Sequence, residues 1–146
     1  MTTLSGGQPA IVLVDDDYHS ARLMLRMLAT EGGPAAVHWM AEQDRAAREL
    51  LAICAEARPG RPLVVVDLKS SSTATADFIA RLRADCPALL IVAMAPSLDR
   101  DAREHLLHTG AAAVFERHSD IDLYRNEVRS IVSFWMRHQT LNSVGA

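Results

Sequence analysis

The chain has 146 residues, 49% of them apolar, and a net charge of −3. That length suits one domain with a full core, and the charge gives no electrostatic case for nucleic-acid binding. No apolar run approaches the length of a membrane span and the N-terminus lacks the basic start of a signal peptide, so a cytoplasmic protein is expected.

Residues 1–8 are polar and Gly-rich and are expected to be disordered. Ala10-Ile-Val-Leu-Val14 then reads as a buried strand over about 10–15, ending in Asp15-Asp16-Asp17. A helix over about 18–31 carries Leu23, Met24, Met27 and Leu28 on one face and stops at Gly32-Gly33-Pro34. A short strand over 35–40 precedes an Ala-rich helix over about 42–57 and a turn at Arg58-Pro-Gly-Arg-Pro62. Pro62-Leu-Val-Val-Val-Asp67 is an uncharged, Val-rich run that ends in one carboxylate, the pattern of a central strand covered on both faces. A polar loop, 68–73, leads to a third helix over 74–85 with Phe78, Ile79 and Leu82. A fourth strand covers 88–94. Asp99 begins a helix that Gly110 ends, and a fifth strand covers 111–115. Ser119-Asp-Ile-Asp122 fits a capping box with Asp in the Glu position, so the last helix starts near 120; it is expected to end near 138, leaving 139–146 as a flexible tail. Strand and helix alternate five times, which specifies a three-layer α/β domain over 9–138, with a five-stranded parallel sheet and right-handed crossovers.

Two acidic strand ends dominate the chemistry. If the first and third strands are neighbours, up to four carboxylates crowd one rim of the sheet, where open α/β folds bind ligands. Such crowding calls for a cation, and an oxygen-only cup suits Mg²⁺ before Ca²⁺. A phosphatase of the haloacid-dehalogenase type also uses a strand-end Asp, but it needs a second Asp two residues on, where this chain has Lys69. A nucleotide-binding loop after the first strand would be Gly-rich, whereas Asp15-Asp16-Asp17 has the opposite charge. The six His show no metal spacing. Cys54 and Cys86 also lack metal-ligand spacing and are expected to be reduced thiols. Arg accounts for 14 of the 15 basic residues, and the single lysine is Lys69.

Ile11-Val-Leu-Val-Asp-Asp-Asp17, followed about fifty residues later by Val64-Val-Val-Asp67, resembles a response-regulator receiver domain of two-component signalling. The resemblance spans about 9–138 and implies a flavodoxin-like (βα)5 fold and a signalling domain rather than an enzyme. It implies that Asp67 accepts a phosphoryl group, and that Asp15, Asp16, Asp67 and the backbone carbonyl of Lys69 hold Mg²⁺. Asp17 falls beyond the pair and suits the start of the first helix. The implied partners are a sensor histidine kinase or phosphotransfer protein upstream, and a protein target or second copy of the chain downstream, met through helix 4, strand 5 and helix 5.

Several positions depart from the receiver pattern. Ala95 stands where receivers carry a Thr or Ser hydroxyl, with Ser97 two residues too late for the same direction. Arg117 stands in place of the usual Lys, and an Arg fork is not interchangeable with an ammonium. His118 follows where Pro is common. Val114 occupies the place of the switching aromatic while Phe115 faces the other way, and Ser71 and Thr75 replace the usual Pro and Gly. The metal-and-acceptor half is therefore intact and the relay half altered, which leaves a phosphorylation-independent pseudo-receiver as the alternative. Two places are open to the Lys69 side chain: solvent, or the carboxylates, where it would partly replace Mg²⁺. On helix 5, Tyr124, Val128, Ile131, Val132 and Trp135 form the core face, and Leu123 and Phe134 lie on a second flank suited to a partner.

Overall fold

The computed structural model describes residues 10–56, 61–96 and 99–145. The N-terminal eight residues, Ser97 and most of the turn before Pro62 lie outside the described residues. Five strands and five helices alternate: β1 (Ile11–Asp15), α1 (Tyr18–Thr30), β2 (Val37–Met40), α2 (Gln43–Ala55), β3 (Leu63–Asp67), α3 (Ala74–Asp85), β4 (Leu90–Ala95), α4 (Arg100–Thr109), β5 (Ala113–Glu116) and α5 (Ile121–Gly145). The sheet is wholly parallel in the order β2-β1-β3-β4-β5, so the three-layer α/β reading holds. All five residues of β1 and all five of β3 are buried. That burial explains why these strands read as continuous apolar runs rather than alternating ones.

Alternation along each strand divides the core. Val12, Val14, Val64, Val66, Ile91, Ala93 and Val114 pack with α2, α3 and α4, whereas Ile11, Leu13, Leu63, Val65 and Val92 pack with α1 and α5. Val114 and Phe115 fall on opposite sides, as period two requires. Helices α1, α4 and α5 begin on side-chain caps. Asp17 accepts from the His19 amide and Asp99 from the Ala102 amide. Asp120, rather than Ser119, accepts from the amides of Asp122 and Leu123 at α5. Gly110 closes α4 at φ +133°, and a Cβ there would lie 2.9 Å from Arg83 Nε. The Arg83 guanidinium donates to the carbonyls of Pro87, Leu89 and Gly110, joining α3 to the ends of β4 and α4.

Two expectations are corrected. Helix α5 does not stop near 138 but continues to Gly145; residues 139–144 hold no Pro or Gly to break it. Cys54 and Cys86 are not free thiols but form a disulfide between the last turn of α2 and the cap of α3, with Cα atoms 6.2 Å apart. Adjacent helices bring together two cysteines separated by 32 positions.

Candidate functional site

Parallel pairing places Asp15 and Asp67 side by side at the carboxyl ends of the two buried strands. Neighbouring strands run about 4.8 Å apart, and both carboxylates are almost wholly out of solvent, at 0% and 1% exposure. Such a pair cannot stay ionised without counter-charge, and two cations supply it. Lys69 Nζ lies 2.8 Å from Asp15 Oδ1 and 3.1 Å from Asp67 Oδ2, and also donates to the Asp67 carbonyl at 3.1 Å. Arg117, entering from just beyond β5, donates through Nη1 to Asp67 Oδ1. The lysine side chain is therefore not in solvent. It fills the space between the two strand ends.

Asp16 has a different task from the one expected. Its two oxygens accept from the backbone N–H groups of Lys69 and Ser70, at 2.9 and 3.0 Å. It thereby anchors the loop after β3 and fixes where Lys69 starts. Thr75 holds the same loop from α3, with Oγ1 3.0 Å from the Leu68 amide. Trp39 steadies the end of β1 by donating from Nε1 to the Asp15 carbonyl at 2.8 Å. Burial raises the pKa of Asp15 above its ordinary 3.8, opposed by the Lys69 hydrogen bond. Tyr124, assigned only to the core face of α5, also belongs to the surroundings of the site. Its phenol is buried without a hydrogen-bond partner, and burial together with the charges of Asp67 and Asp15 raises its pKa.

The donor atoms are chemically suited to Mg²⁺, but their arrangement is not. Lys69 stands between Asp15 and Asp67, both Asp16 oxygens are engaged by amides, and among the described residues no three Asp, Glu, His or Cys side chains are placed to hold an ion. Of the residues expected to form the cup, Asp15 and Asp67 here pair with Lys69 and Arg117, and one oxygen of each, Asp15 Oδ2 and Asp67 Oδ2, is buried without a hydrogen-bond partner.

Ala95 is buried at the end of β4, and its methyl group helps line a cavity of about 490 Å³ with Leu68, Thr75, Met94, His105 and Leu106. Lys69 and Arg117 form the end of this cavity nearest Asp67. On the far flank, Leu123 is half exposed, while Phe134 packs edge-on against Phe115 with ring centres 6.4 Å apart. Eleven helical residues separate Leu123 from Phe134 by about 16 Å along α5. Phe134 borders a groove with Arg103, Phe115, Glu127 and Arg137 between α4, β5 and α5.

No protein-family model matches the sequence, and no curated protein matches it. Solved structures do match. A response regulator receiver domain from Rhodospirillum rubrum is 18% identical, with a TM-score of 0.69 over 86% of this chain and 92% of that one. The phosphorylated cyanobacterial phytochrome response regulator RcpA is 22% identical, with a TM-score of 0.67 over 86% and 92%. The Mn²⁺-bound form of response regulator Rcp1 is 18% identical, with a TM-score of 0.66 over 87% and 94%. The chain has the receiver fold across most of its length.

Proposed function

We propose that this chain, as a receiver-fold domain, takes a phosphoryl group on Asp67 from a sensor histidine kinase or phosphotransfer protein and passes the signal on by protein contact. One observation carries the reading: the Asp67 carboxylate, at the end of a central strand, is held by Arg117 from the end of an edge strand. Phosphorylation would change what Arg117 grips. An Asp67 oxygen bonds to phosphorus as the donor's P–N bond breaks, and the electron pair leaves with the donor imidazole. The acyl phosphate then presents more negative oxygens to the guanidinium fork, which pairs well with phosphate. One residue earlier, the Glu116 amide donates to Glu127 Oε2 at 2.6 Å, so a shift at Arg117 reaches α5. The groove between α4, β5 and α5 is the proposed output face, for a protein target or a second copy of the chain. Action without nucleic acid fits the net charge of −3, and among the described residues no helix is long and apolar enough to cross a bilayer.

A specific observation favours a second reading, a binding module that works without phosphate. Asp67 is covered by the side chains of Lys69 and Arg117, and Ala95 offers no hydroxyl to a phosphoryl group. Incubation with acetyl phosphate or phosphoramidate, followed by intact mass, separates the two. The first reading requires one added phosphoryl mass on the wild type and none on Asp67→Asn. No adduct under conditions that modify ordinary receivers leaves the second.

A further inference from the structure

The geometry points to Lys69 as a built-in counter-cation whose ammonium holds the place a divalent ion would need between Asp15 and Asp67, so that the resting domain excludes Mg²⁺ until Lys69 leaves. This deepens the phosphoacceptor reading and rests on it only for its signalling consequence.

The ammonium sits between the two strand ends. It donates to Asp15 Oδ1 at 2.8 Å and to the Asp67 carbonyl at 3.1 Å, and pairs by charge with Asp67 Oδ2, 3.1 Å away. The lysine is also aimed. Asp16 accepts from its backbone amide and from that of Ser70, so the second acid of the pair is spent on positioning the cation rather than on binding an ion. Charge closes the argument. The buried carboxylates of Asp15 and Asp67 carry −2, and Lys69 with Arg117 carries +2, leaving the cluster neutral. A divalent ion added to that cluster would meet a cation already between its ligands, in a poorly screened site. It would also have to give up water for a pair in which Asp15 Oδ1 and Asp67 Oδ1 are already engaged and only Asp15 Oδ2 and Asp67 Oδ2 lack a hydrogen-bond partner. Metal uptake and release of Lys69 are therefore one competitive event. In signalling terms, the resting state is held by the chain itself rather than by the ion content of its surroundings.

Because Lys69 is the only lysine, lysine labelled with ¹³C at Cε gives a single side-chain resonance from the intact protein. In the wild type, that resonance should stay in place on addition of millimolar MgCl₂, and Mn²⁺ should cause no broadening centred on Asp15 and Asp67. Removing the positive charge with Lys69→Met should tighten Mg²⁺ binding by about tenfold or more, followed by amide shifts, and should make the thermal midpoint rise with Mg²⁺ where the wild type's does not. A Lys69→Met chain that folds only when Mg²⁺ is added supports the inference in the same sense. Wild type that binds Mg²⁺ at the cluster as tightly as Lys69→Met would overturn it, as would a folded variant with no gain in affinity. If the variant folds in neither condition, the wild-type resonance decides: unmoved without local broadening supports the inference, and Mg²⁺ or Mn²⁺ bound beside an unmoved lysine overturns it. No phosphodonor enters any arm, so failure of Asp67 to accept phosphate leaves these results intact.

Discussion

Replacing Arg117 by Met tests whether the Asp67 cluster is held by charge balance. The substitution keeps much of the side chain's apolar stem and removes the guanidinium that reaches Asp67 Oδ1. A carboxylate at 1% exposure would then share one ammonium with Asp15, leaving the cluster at −1. Breaking a fully buried pair costs about 3–5 kcal/mol. Arg117 is 24% exposed, and Lys69 still faces Asp67, so solvent screening reduces the expected loss to about 2 kcal/mol. For a chain of this length, that lowers the thermal midpoint by about 4–8 °C. Urea unfolding should show a lower midpoint at unchanged slope. The diagnostic comparison is a cycle with Asp67→Asn. In the Asn background no buried charge is stranded, so the cost of Arg117→Met should fall below about 0.5 kcal/mol, a coupling of about 1.5 kcal/mol. Equal costs in the two backgrounds would refute charge balance as the reason for this contact.

The other expected outcomes concern the supports of the site and of the fold. Asp16→Ala should cost about 1–2 kcal/mol by removing two amide-to-carboxylate bonds, and should speed hydrogen exchange at the Lys69 and Ser70 amides; unchanged exchange there would end its role in positioning the loop. Burial raises the folded-state pKa of Asp15 above 3.8, so the folded chain holds a proton that the unfolded chain releases. Stability relative to Asp15→Asn should therefore fall as pH rises through the window above 3.8, and urea midpoints that rise instead would reverse the assignment. Arg83→Met, which strips a charged donor from three carbonyls, should cost about 2–3 kcal/mol in the same assay. Reduction of Cys54–Cys86 should cost about 2–4 kcal/mol, read as the difference in unfolding free energy with and without reductant; no difference would show that the bridge constrains nothing.

The parts of the site that could be read in the sequence were those written locally. An uncharged run ending in a carboxylate places Asp15 and Asp67 on strand ends without knowledge of the rest of the chain, and period two separates Val114 from Phe115. The position of Lys69 could not be read that way. It depends on a carboxylate 53 residues earlier binding its backbone amide, and on how two strand ends face each other. The disulfide is hidden for a similar reason, since spacing along the chain does not say that the end of α2 lies beside the cap of α3. Tyr124 has the periodicity of an ordinary core residue; its proximity to the acid pair comes from how α5 crosses the sheet. The far end of α5 is not marked locally, because residues 139–144 hold neither a stop signal nor a regular apolar stripe.

The attachment of the helices makes the fold mechanically lopsided. Helices α2 and α3 bury four and six residues and are stapled at one end by Cys54–Cys86. Helix α4 buries only Leu106, and its C-terminal end is moored where Arg83 grips the Gly110 carbonyl. The face of α4 that carries Ala102, His105 and Leu106 borders the cavity beside Ala95. Load applied at Asp67 meets a stiff flank on one side and a compliant one on the other. Helix α4 is thus the element to yield, swinging about Gly110, and its amides are expected to exchange through openings of lower free energy than those of α2 and α3.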